Sequence, residues 1–227
     1  MLAAAALLWL MMPLPVQATD WESRLDQDGI SVYARSQPGK AYKEFRATMT
    51  VAALPASILA LLQDNAACPE WLYRCETSAL LEEVSNTERY FYQVTDLPFP
   101  ARSRDAVFHA LLTYQQDGGI RVNMTAVEGR VPISKHVRIR DSSGTYLIEP
   151  VGENKTRVTW QQYIDPAGAL PAWLVNSMLT DMPYRSLAAM RLKLLEEPYR
   201  NARFRYDDDR IPAGIIFLED DRQTNRE

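Results

Sequence analysis

The chain has 227 residues, 47% of them hydrophobic and 24% charged, which suits one domain with a sizeable core. Its 25 Lys and Arg stand against 29 Asp and Glu, a net charge of −4, so no broad positive field draws it to nucleic acid or to an anionic membrane. Two His and two Cys leave little material for a metal or catalytic centre.

Residues 1–18 carry no charge and end in small residues after Pro13 and Pro15. This is the pattern of an export signal cleaved after Ala18, which implies an exported, periplasmic protein. Such a leader ordinarily opens on Lys or Arg; this one opens Met-Leu-Ala, so its start is expected upstream. The competing reading is an uncleaved membrane anchor, for which an apolar run broken by two prolines is short. A mature domain is expected over 19–203, with a charged tail over 204–227.

Residues 21–26 read as a short opening helix, and Asp28-Gly29 as a turn into an alternating strand over 30–35. A second strand over 42–51 makes a hairpin with it. Pro55 then begins a helix to about Gln63, with Ile58, Leu59 and Leu62 on one face. Cys68 and Cys75 lie seven apart. On a continuous helix their Cα atoms would stand about 10 Å apart, too far for a disulfide, but Pro69 argues against a continuous helix. A bridge and two buried thiols are both open.

From 76 to 164 strands dominate: 79–84, 88–95, 106–114, 120–127, 136–140, 145–150 and 157–164, separated by Asn, Asp, Gly, Ser and Pro turns. Regular turns at this spacing predict a twisted antiparallel sheet. The period then changes, and Trp173, Leu174, Met178, Leu179, Met182, Leu187, Met190 and Leu194 predict a long amphipathic helix over 171–197, bent at Pro183. The fold class is α+β. Beyond it the charges show no period, and the segment is expected to wrap the surface or stay disordered. Its apolar residues 215–218 are expected to pack locally.

Two short motifs carry more information than the rest. Leu97-Pro98-Phe99-Pro100-Ala101-Arg102-Ser103-Arg104-Asp105 cannot be a central strand, because Pro98 and Pro100 lack ladder donors. Gly168-Ala169-Leu170-Pro171-Ala172-Trp173 opens the long helix. In order and spacing these resemble the START (StAR-related lipid transfer) family over about residues 21–200. The resemblance implies a helix-grip fold, a curved antiparallel sheet wrapped around the C-terminal helix, with a tunnel that binds a lipid without chemistry and without a cofactor.

Sterol-binding members of that family place an acidic and a basic residue inside the tunnel. The matching positions here are Phe91 and Ala110, so an acyl-chain or phospholipid ligand is expected rather than a sterol. Candidate cavity residues are Phe91, Phe108, His109, Ala110, Met124, Trp160, Trp173, Met178 and Met182; the aromatics and flexible thioethers among them suit an adaptable apolar pocket, but by themselves they read first as an ordinary core, and it is the resemblance that favours a pocket. Arg104 and Asp105 read as a salt bridge or turn anchor, with a contact to the ligand headgroup as the alternative, and Trp173 as a pin or a gate at the helix start. The expected partners are lipid and, transiently, a membrane, with the protein a monomer. The rival class is a cavity enzyme acting through His109 or a Tyr such as Tyr90, Tyr92 or Tyr163.

Overall fold

A computed structural model describes residues 20–132, 134–208 and 211–218. The leader over 1–18 and the last residues of the tail lie outside them. In chain order the elements are β1 (Glu22–Gln27), β2 (Ile30–Ser36), β3 (Lys43–Val51), α1 (Pro55–Gln63), α2 (Cys68–Trp71), β4 (Cys75–Ser85), β5 (Glu88–Thr95) and β6 (Arg104–Tyr114). They continue with β7 (Ile120–Ala126), β8 (Val137–Arg138), β9 (Ser142–Gly152), β10 (Lys155–Ile164), α3 (Ala172–Lys193), β11 (Ala202–Tyr206) and β12 (Pro212–Phe217).

One sheet runs in the order β1-β2-β3-β10-β9-β7-β6-β5-β4, with β8 added to the start of β6. Every pairing in it is antiparallel except β6 with β8. Strand residues alternate, and one set faces α3, which lies on β2 and β3, while α2 packs between β4 and α3. This is the helix-grip arrangement. The core joins Phe45, Met49, Ile120, Ile148 and Trp160 of the sheet to Leu187 and Met190 of α3 and Ile58 and Leu61 of α1. The helix runs on through Pro183, and Ser186 Oγ bonds the Met182 carbonyl at 2.6 Å and accepts the Tyr73 N–H at 3.0 Å, tying α3 to the segment after α2.

The opening segment is a strand, not the helix its sequence suggested. Asp28 and Gly29 have φ of 52° and 70°, the paired left-handed residues of a tight hairpin turn, which demands a strand on each side. Trp21, just ahead of β1, lies under the guanidinium groups of Arg35 and Arg46, 4.4 and 4.1 Å from its ring centre. In the tail, β11 and β12 form a hairpin that no period announced. Phe204 meets the edge of Tyr114 at 5.9 Å, and Ile215 packs on the core, as expected of the apolar residues there.

Candidate functional site

The inner face of β5 presents Arg89, Phe91, Gln93 and Thr95, opposite Ala110, Phe108, Ala106 and Arg104 of β6. Beneath α2 and α3 this face leaves a cavity, whose walls include Phe91, Phe108, Met124, Trp160, Met178 and Met182. The cavity offers ≈ 100 Å³ to the centres of water-sized molecules. A smaller chamber of ≈ 50 Å³ is lined by Leu59, Arg89, Ala110, Leu112 and Val122. Leu62, Asn65, Phe91, Met124 and Tyr146 border both, so the two adjoin, with one flexible thioether and two rings among the side chains at the waist between them.

The waist is built from the sheet. Tyr146 stacks on Trp160 with ring centres 5.2 Å apart, and burial pushes its phenol well above the usual range. Trp160 donates its indole N–H to Gln162 at 3.0 Å, and Gln162 donates to Ser142 at 3.3 Å. Gly144 sits against Met124: a Cβ there would lie 3.2 Å from its Cε and 3.3 Å from Gln162 Cγ. The wall is not wholly apolar. Gln93, Thr95 and Trp71 border the larger cavity, and the buried Trp71 indole N–H has no acceptor among the described residues.

Arg104 and Asp105 do not pair with each other. Arg104 is buried and donates from Nε to the Pro166 carbonyl and from Nη2 to the Ala167 carbonyl, both at 2.9 Å. It therefore fastens the β10–α3 connection to the strand that follows the Pro-rich turn. Asp105 is buried on the opposite face of the strand and receives Arg138, Ser134 and Tyr92. Burial alone would push its carboxyl up, but the hydrogen bonds from Arg138, Ser134 and Tyr92 outweigh it and hold the pKa at about 2.

Cys68 and Cys75 form a disulfide with Cα atoms 6.0 Å apart. The four-residue α2 ends at Leu72, whose backbone is extended, and this break brings the two Cys together. Two candidates lie elsewhere. His109 has the opposite parity to Phe108 and Ala110 and sits on the outer face, 2.8 Å from Glu88 and stacked on Tyr90 at 4.4 Å. Trp173 is 55% exposed in the first turn of α3 and borders neither chamber. Pro171 caps α3, Gly168 turns with φ of 70°, and Pro98 and Pro100 shape the turn around Phe99.

Arg89 is the lining residue that sequence reading missed. It stands directly across from Ala110, so a cation reaches this end of the cavity from the neighbouring strand. Period-two alternation from Phe91 was the signal for it. Among the described residues no group of His, Cys, Asp and Glu is placed to hold a metal, and no helix is long and apolar enough to cross a membrane.

A family model described as the START domain matches residues 2–185. An uncharacterised protein of Pseudomonas aeruginosa is 31% identical over 175 residues, 77% of this chain and 86% of its own length. The crystal structure of a STAR-related lipid transfer protein from Xanthomonas axonopodis superposes with a TM-score of 0.72 at 32% identity, covering 78% of this chain and 99% of that one. Human phosphatidylcholine transfer protein is 22% identical over 163 residues, 69% of this chain and 75% of its own.

Proposed function

Because the chain belongs to the START domain family, a family of lipid binding and transfer, we propose that it holds the hydrocarbon of a lipid in the cavity beneath α3 and carries it between membranes without catalysis. The observation that carries this reading is the pair of adjoining chambers under α3, which share Phe91, Met124 and Tyr146 as walls. Each methylene moved from water contributes about 0.8 kcal/mol, so one long acyl chain offers on the order of 10 kcal/mol before ordering costs. The similarity to proteins named for lipid and phosphatidylcholine transfer supports it. With Phe91 and Ala110 where a sterol-type charge pair would stand, an acyl-chain or phospholipid ligand is favoured over a sterol.

We further propose that the protein is exported to the periplasm, acts as a monomer, and touches the membrane through the Pro-rich turn. Phe99 at its tip is 94% exposed, an aromatic that suits a membrane interface. Arg102, Lys135 and Arg74 lie around the adjoining surface cleft, with Glu76 and Asp96. Transfer of a fluorescent acyl lipid from donor to acceptor vesicles tests the reading: catalytic amounts of protein should raise the rate above the spontaneous one. A rate that does not depend on protein concentration would refute it.

A further inference from the structure

We infer that Arg89 is the headgroup anchor of this cavity, and that the ligand it selects is a single-chain amphiphile with an anionic head of the fatty-acid carboxylate type. The inference rests on the lipid-binding reading above and narrows it.

Among the described residues Arg89 is the one charged residue bordering the smaller chamber, whose other walls include Leu59, Leu62, Ala110, Leu112 and Val122. Its side chain is only 14% exposed. A guanidinium has five N–H donors, yet among the described residues Arg89 makes one long bond, 3.5 Å to the Gln63 carbonyl. Its nearest carboxylate, Glu83, is 3.8 Å away and half in solvent. Burial pushes the Arg89 pKa down, and the Glu83 charge offsets this only in part.

Arg104, the arginine bordering the larger cavity, differs in kind because its donors are spent on backbone carbonyls. Arg89 therefore keeps the planar fork that a carboxylate fits with two parallel bonds. From that point the larger cavity lies on the far side of Phe91, Met124 and Tyr146. The chambers, at ≈ 100 and ≈ 50 Å³, fall below the roughly 300–1,000 Å³ usual for ligand pockets, so they leave no room for a second chain, and one chain enters only as the flexible Met124, Met178 and Met182 give way.

The test compares oleate with methyl oleate, the same chain without the charge, by tryptophan fluorescence titration at pH 8 and low salt. Wild-type protein should prefer oleate by about tenfold or more. In Arg89→Gln the preference should collapse toward one while the methyl ester binds as before. Glu83→Gln, on the exposed edge strand, should widen the preference by releasing the guanidinium, which keeps the test decisive even if Arg89→Gln fails to fold. Equal binding of both ligands to wild type, an undiminished preference in Arg89→Gln, or no widening in Glu83→Gln overturns the anchor and leaves lipid binding standing. Binding of neither ligand overturns both.

Discussion

Asp105 and Arg138 form a two-pronged ion pair, Nε to Oδ1 at 2.8 Å and Nη2 to Oδ2 at 2.9 Å, where β8 joins β6 in parallel. The carboxylate is fully buried and the guanidinium 10% exposed. The pair closes the outer face of the strand whose inner face borders the cavity, and it ties the long β7–β9 connection to the sheet.

The Asp105 pKa of about 2 lies below its value in an unfolded chain, so the pair stabilises the protein at neutral pH and above. That contribution, about 2 kcal/mol, should be lost as pH falls from about 4 toward 2. Denaturant melts of wild type and Asp105→Asn across this range provide the check. The variant should be destabilised by about 3 kcal/mol at pH 7, since Arg138 is left buried without its counter-charge. It should also lack this acid-dependent component. Parallel pH profiles for the two proteins would count against the assignment.

The Cys68–Cys75 bridge closes a short loop that carries Trp71 against the cavity. Loop-closure entropy for so short a ring is worth about 2 kcal/mol. Replacing both Cys with Ser should lower the melting temperature by about 5 °C and increase hydrogen exchange through α2. An unchanged melt with and without reductant would show that the bridge contributes nothing.

Ala106 is buried on the inner face of β6 between Arg104 and Phe108 and borders the larger cavity. Phe at this position projects into the cavity and should weaken lipid binding about tenfold or more, at a cost in stability of about 1–3 kcal/mol. Isothermal titration beside a thermal melt separates the two effects. Full affinity in a folded Ala106→Phe would place the ligand elsewhere.

Much of this was legible in the sequence. Alternation and turn chemistry place β5 at residues 88–95, as found, and the inward parity of Phe91, Phe108 and Met124 follows from the same period. The strand β6 begins two residues earlier than its pattern suggests because Arg104 and Asp105 pair with Thr95 and Val94 of β5 on one side and with β8 on the other, the second a contact with distant chain that no local period reveals. The tail hairpin was hidden likewise: Phe204 and Ile215 are held by Tyr114 and the core, a tertiary effect. Parity alone puts His109 outside and Arg89 inside. Residue type pointed the other way in both, since a histidine suggests a site and a charge suggests solvent.

Phe99 should act at the membrane without affecting the cavity. Phe99→Asp is expected to reduce sedimentation with phosphatidylglycerol-containing vesicles several-fold and to slow transfer, while affinity for soluble fatty acid stays unchanged. Equal vesicle binding by the variant would remove the Pro-rich turn from the proposed membrane contact.

The central claim is that a hydrocarbon chain occupies the space between the sheet and α3. Photolabelling with a fatty acid carrying a diazirine at mid-chain, followed by peptide mapping, tests it most directly. The account predicts label on inward residues of β5, β6, β7 and α3, among them Phe91, Phe108, Met124 and Met178, with competition by unlabelled oleate. Label confined to the outer face around Tyr90 and His109, or label that oleate does not displace, would contradict it.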